Sequence, residues 1–219
     1  MKKKGAVHLY KCLKRGMDIV ISLFGLIIIS PVLLLTSIAI KLESKGPVIF
    51  KQNRLGKDGK VFSIYKFRSM CVGAEKTGSG VYSSSSDPRV TKVGKFIRAT
   101  SIDELPQFIN VLKGEMSLIG PRPVLTYHPW SFEEYTDEQK KRFSVRPGLS
   151  GLAQVNGRKG LEWPNRIKYD VTYTEKCSFC MDIKIIFQTI LKVFLNADNV
   201  NTGNTAVRIK AEAEESGLK

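Results

Sequence analysis

The chain has 219 residues, with 35 Lys or Arg against 20 Asp or Glu and a net charge of +15. Its two histidines and four cysteines, only two of them closely spaced, provide neither a His-built metal centre nor a tetrahedral zinc set. Cys177 and Cys180 therefore read as free thiols one helical turn apart, and a bound metal would take oxygen ligands.

Residues 1–15 carry six Lys or Arg. The next stretch, Gly16 to Ile40, reads GMDIVISLFGLIIISPVLLLTSIAI, with Asp18 as its one charge. A run of that length and apolarity is a membrane segment, too long for a cleaved signal peptide. Two physical readings stay open. Pro31 removes a backbone donor and restricts Ser30, so a bend is expected at the centre. The Ser30 hydroxyl can bond a carbonyl one turn back. At about 1.5 Å per residue, the arms on either side reach roughly 21 and 15 Å, each short of a ~30 Å hydrocarbon core. Both flanks are basic, as a re-entrant hairpin with both ends on the cytoplasmic side requires. The other reading is a proline-kinked helix that spans. A basic surface beside such a segment suits anionic lipid head groups and phosphorylated ligands.

Residues 47–68 read as a β-hairpin, PVIFKQ and KVFSIYKFR around a Lys57-Asp58-Gly59 turn, with Phe62, Ile64 and Lys66 on one face. Residues 72–89 are Gly/Ser-rich loop. No P-loop occurs, and no stacking-aromatic signature of nucleic-acid binding. A helix is expected to start near Asp103, with Asp103 as N-cap, or with Ser101 and Glu104 as a capping box. Capping alone would explain these acids. Their setting suggests more, because Arg98 precedes them and Gly120-Pro121-Arg122-Pro123 follows. Adjacent carboxylates among arginines are what a metal-bound diphosphate would need.

Residues 131–143 read as an exposed helix, VRPGLSGLAQVNGR (with Arg146 and Arg158) as loop, and 162–176 as a helix after Pro164. The last helix, Asp182 to Asn196, has a broad apolar face and a narrow polar stripe. That pattern favours a helix half-sunk in a membrane surface over one packed on a core. The expected class is α+β, mostly helical. Residues 1–45 are expected to form the basic N-terminus and membrane helix, 46–201 one compact domain, and 202–219 a polar tail.

Five ordered segments carry a resemblance: KRGMDIVISLFGLIIISPVLLL, FKQNRLGKDGKVFSIYKFRSM, DPRVTKVGKFIRATSIDELPQFINVLKGEMSLIGPRP, RPGLSGLAQVNGR, and YDVTYTEKCSF with the helix after it. The chain resembles the bacterial sugar transferases of the minimal monotopic phosphoglycosyl transferase kind. The resemblance implies a re-entrant helix broken at Ser30-Pro31, on the cytoplasmic face of the bacterial inner membrane. It implies transfer of a sugar 1-phosphate from a UDP-sugar to undecaprenyl phosphate with Mg²⁺, releasing UMP, at the start of glycan assembly. Asp103 matches the family's nucleophile, which forms a phosphosugar intermediate, and Glu104 its partner; both are metal-ligand candidates. Lys66, Arg68, Arg98, Arg122 and Arg146 match its basic phosphate-binding residues. The competing reading is a non-enzymatic, membrane-anchored basic binding module.

Overall fold

A computed structural model describes residues 2–77, 87–157 and 161–194. The centre of the Gly/Ser-rich loop, Arg158 and the 202–219 tail lie outside the described residues.

The chain opens with α1 (Lys2–Glu43), one helix that carries Pro31 inside it. The expected break at Ser30-Pro31 is not a break in the helix. A proline deletes one backbone donor, and the Ser30 hydroxyl donates to the Ile27 carbonyl at 2.7 Å beside it. What the sequence reading did not anticipate is how α1 is turned. Asp18, Ser22, Thr36 and Ile40 form a buried stripe at helical spacing, while Phe24, Ile28, Leu34 and Leu35 face outward. Asp18, Ser22 and Thr36 point at the protein, and most of the large apolar side chains of α1 point away from it.

Polar bonds fix that orientation. Asp18 accepts from the Leu118 amide at 3.0 Å. Arg15 donates to the Val111 and Leu112 carbonyls at 2.7 and 3.0 Å. Farther along, a Cβ at Gly25 would stand 3.5 Å from the Phe108 ring. At its end, Ile40 packs in a small core with Phe67 and Ile97.

The expected hairpin is present as β1 (Ile49–Leu55) and β2 (Val61–Phe67), antiparallel with Gln52 opposite Ile64. Asp58 and Gly59 take positive φ in the turn between them. The next helix, α2 (Lys92–Ala99), is capped twice, by the Thr91 hydroxyl and by the Glu43 carboxylate of α1 on its first two amides. After a 3₁₀ turn over Ile102–Glu104 comes α3 (Gln107–Lys113). Then β3 (Ser117–Ile119) leads through Gly120–Pro123 into β4 (Val124–Leu125), which joins the free edge of β1.

The expected helix at 131–143 shrinks to α4 (Asp137–Lys140), closed by a Thr136–Gln139 capping box and followed by a 3₁₀ turn. Its flanks are aromatic core instead: Tyr135 and Phe143 are buried with Leu55, Val124, Ile167 and Val171. Next, β5 (Gly148–Ser150) pairs in parallel with β3. This close approach explains the glycines of two motifs, since a Cβ on Gly148 would lie 2.1 Å from the Gly120 nitrogen. Short α5 (Leu152–Val155), α6 (Trp163–Lys176) and α7 (Phe179–Phe194) complete the described chain. As on α1, the inward residues of α7 include Asp182 and Ile185, and Phe179, Ile183, Phe187 and Leu191 are exposed.

Candidate active site

Asp103 and Glu104 do not cap a helix. Ser101 takes a left-handed φ of 59° and makes no side-chain cap, which turns the chain sharply after α2. The dyad then sits in the 3₁₀ turn, and α3 begins only after Pro106. Neither carboxylate is used up in a cap, so both are available to the site.

Three elements converge on that turn. Asn110 of α3 is fully buried and bonds both the Tyr65 amide and the Ser63 carbonyl of β2. This dock sets Lys66 of β2 beside the dyad, where its ammonium meets Glu104 Oε1 at 2.9 Å. From the β3–β4 crossing, Arg122 donates to both oxygens of Glu104, with Nη1 to Oε2 at 3.3 Å. The Arg122 carbonyl is itself held at 3.0 Å by Arg142, which is fully buried with Asp170. Arg98, in the last turn of α2, is close enough to stabilise the charge on Asp103.

The two carboxyls ionise differently. Burial pushes Asp103 up to about 6; the neighbouring Glu104 charge adds to this, and Lys66, Arg98 and Arg122 oppose it. Burial alone would raise Glu104 as well, but Arg122 and Lys66 outweigh it and hold that carboxyl well below its ordinary range. One neighbour is thus a permanent anion locked in ion pairs. The other, Asp103, titrates close to neutrality.

Of the seven expected catalytic and binding residues, the fold gathers five: Asp103, Glu104, Lys66, Arg98 and Arg122. Arg68 is turned elsewhere. It donates to the carbonyls of Ile40, Ser44 and Lys45, closing the end of α1. Arg146 donates to the Gly114 carbonyl, at the opposite end of α3 from the dyad.

Two further arginines join the cluster. Arg54 of β1 donates to the Pro123 carbonyl at 3.3 Å; burial, with Arg122 close by, brings it down to about 10. Arg166 of α6 stacks over Trp163 at 4.7 Å and is also lowered to about 10, by burial and by Arg122. Both remain cationic at neutral pH. The only sequence signal for either was a basic residue near an aromatic or strand pattern. A cavity of about 530 Å³ adjoins Glu104, Arg122 and Arg166, and the rest of its wall is mainly apolar.

Among the described residues, no group of three or more His, Cys, Asp or Glu side chains could hold a metal ion. The dyad offers two carboxylates, and Lys66 and Arg122 already engage both oxygens of Glu104. That donor set suits a cation shared with a substrate's phosphates, as Mg²⁺ commonly is, and not an all-protein cage.

The chain is similar over most of its length to several bacterial proteins. It is 48% identical over 188 residues to the UDP-glucose:undecaprenyl-phosphate glucose-1-phosphate transferase of Klebsiella pneumoniae, covering 84% of this chain and 40% of that protein. It is 48% identical over 185 residues to the UDP-N-acetylgalactosamine-undecaprenyl-phosphate N-acetylgalactosaminephosphotransferase of Aeromonas hydrophila, covering 83% of this chain and 44% of that protein. The chain thus spans about two fifths of the length of these relatives. Against the uncharacterized sugar transferase EpsL of Bacillus subtilis (strain 168), identity is 40% over 206 residues, covering 93% of this chain and 98% of the relative. The sequence profile of the bacterial sugar transferases matches residues 9–196, a span that holds the whole Asp103–Glu104 cluster, so the chain belongs to the bacterial sugar transferase family.

Proposed function

We propose that this chain transfers a sugar 1-phosphate from a UDP-sugar to undecaprenyl phosphate and releases UMP, as a phosphoglycosyl transferase that initiates glycan assembly. The observation that carries this reading is the dyad itself: a titratable Asp103 next to a Glu104 that is fixed by Lys66 and Arg122, among further arginines.

The chemistry follows from those charges. An oxygen of the Asp103 carboxylate attacks the sugar-bearing phosphorus of the donor. The bond from that phosphorus to the bridging oxygen breaks, and UMP departs with the electron pair. A phosphate oxygen of the lipid then attacks the same phosphorus, and the carboxylate of Asp103 is regenerated. An anion attacking a diphosphate meets like charge, which Lys66, Arg98 and Arg122 offset in both steps. Glu104 holds Lys66 and Arg122 in place through its two oxygens until phosphate oxygens compete for them. In this reading Asp103 and Glu104 would hold Mg²⁺, which would supply charge neutralisation.

The same reading places residues 1–45 in the bacterial inner membrane as a monotopic, re-entrant unit, with 46–201 as the catalytic domain on the cytoplasmic face. Support comes from the packing of α1. Arg15 and Asp18 near one end and Ile40 and Glu43 near the other bond or pack on the same domain. A helix that crossed the bilayer could not return its far end to the side it left. The outward apolar faces of α1 and α7 then meet lipid, and the basic surface meets anionic head groups.

A panel of UDP-sugars, each assayed for UMP release with Mg²⁺ and undecaprenyl phosphate, tests the activity. At least one sugar is expected to give lipid-dependent turnover. No release from any of them would leave a membrane-anchored binding module as the function.

A further inference from the structure

We infer that the apolar cavity beside the dyad seats the first isoprenoid units of the acceptor lipid, with the lipid phosphate at Arg122 and Arg166. This rests on the activity proposed above and assigns a place for its second substrate.

The wall of the cavity decides the chemistry. Ile21 of α1, Phe108 of α3, and Ile186 and Ile190 of α7 line it, and its charged groups include the mutually close Glu104, Arg122 and Arg166. Lys192 is a further cation on the α7 wall. A sugar or nucleoside placed there would leave most of its hydroxyl and amide groups without partners. An apolar chain ending in a phosphate matches both parts. At about 530 Å³ the cavity has the size of a small-molecule site, enough for the phosphate-proximal part of a long prenyl chain.

The way in points to lipid. Ile21 and Ile190 line the cavity yet are 41% and 48% exposed, so each belongs both to the wall and to the outward apolar face of its helix. The cavity is therefore continuous with the two surfaces that face away from the domain.

The test uses the full chain in phosphatidylcholine nanodiscs and a farnesyl-length phosphate carrying a diazirine on its first isoprene unit. Crosslinks are expected on the peptides holding Phe108, Ile186 and Ile190. Undecaprenyl phosphate should compete them away, while undecaprenol and phosphatidylglycerol should not. Ile190→Trp fills the cavity from a half-exposed position and should cut labelling about tenfold. Leu42→Trp, on an exposed part of α1 off the cavity, should label like the unaltered chain. Crosslinks confined to the outward residues Phe24 and Ile28 would overturn the assignment. So would undiminished labelling of Ile190→Trp, or equal competition by phosphatidylglycerol. Photolabelling needs no UDP-sugar, so the two readings fail separately. A chain that labels as expected but releases no UMP removes the activity; one that turns over without labelling there removes the cavity assignment.

Discussion

Burial brings Asp103 up to about 6, while Arg122 and Lys66 keep Glu104 ionised throughout the physiological range. In the proposed scheme transfer needs the Asp103 carboxylate, so the acid limb of the rate should have its midpoint near 6 at limiting Mg²⁺ and move to lower pH as Mg²⁺ is raised. A limb centred near 4 that does not move with Mg²⁺ would mean that Asp103 is not the group being titrated. The same shift bears on stability. The folded pKa lies above the unfolded one, so the ionised carboxylate costs nothing below about pH 4, and its full cost appears above pH 6. Asp103→Asn should therefore stabilise the fold by about 1–2 kcal/mol at pH 7.5, after discounting for partial exposure, with the gain fading towards pH 4. Thermal melts of both proteins at the two pH values read this directly.

The dyad was legible as two acids among arginines, and Lys66 as an alternating strand residue on the face of Phe62 and Ile64. Arg68 was not, because two-residue alternation puts it on the face of Lys66 only while the strand continues, and β2 ends at Phe67. Arg166 was hidden for another reason. Nothing local brings α6 to the dyad; the buried Arg142–Asp170 pair does, through the Arg122 carbonyl.

At the scale of elements, α1 and α7 were each legible as apolar helices, but their facing was not. Hydropathy marks Asp18 and Asp182 as blemishes in an apolar run, whereas the fold uses them as the inward contacts. Asp182 is fully buried and accepts from Tyr10 and Lys14 of α1, each at 2.8 Å, and from Tyr173 of α6 at 2.7 Å. It ties the basic end of α1 to α7. Asp182→Ala leaves those donors without an acceptor and should destabilise the fold by roughly 3 kcal/mol, the lower part of the range because Lys14 still reaches solvent. It should also speed tryptic cleavage after Lys14 and Arg15. An unchanged melting temperature with unchanged cleavage would show that the tie holds nothing. The 131–143 segment failed as a helix for a related reason: its charge pattern was helical, yet Tyr135 and Phe143 were needed in the core with Leu55 and Val124.

At the scale of the molecule, the two outward apolar faces and the net charge of +15 define how the protein meets a membrane. The proposed re-entrant placement puts both ends of the apolar segment on one side, so single cysteines at Gly5→Cys and Lys45→Cys, in a cysteine-free background, should react with an impermeant reagent only when the cytoplasmic side is exposed. Reaction of the two from opposite sides would establish a spanning helix and separate α1 from the domain it packs on. Class and order of elements were readable along the chain, because the hairpin, the late helices and the apolar segment are each set by local pattern. The site was half readable. It is assembled by the β1–β4 and β3–β5 pairings and by the Asn110 dock, contacts between residues distant in sequence.

Incubation with a UDP-sugar labelled in its sugar-bearing phosphate, without lipid acceptor, tests the central chemistry most directly. The unaltered chain should release UMP in about one equivalent and carry the label on the peptide containing Asp103, and Asp103→Asn should do neither while remaining folded. Steady turnover by Asp103→Asn, or lipid product formed by a chain that never carries the label, would contradict the covalent scheme.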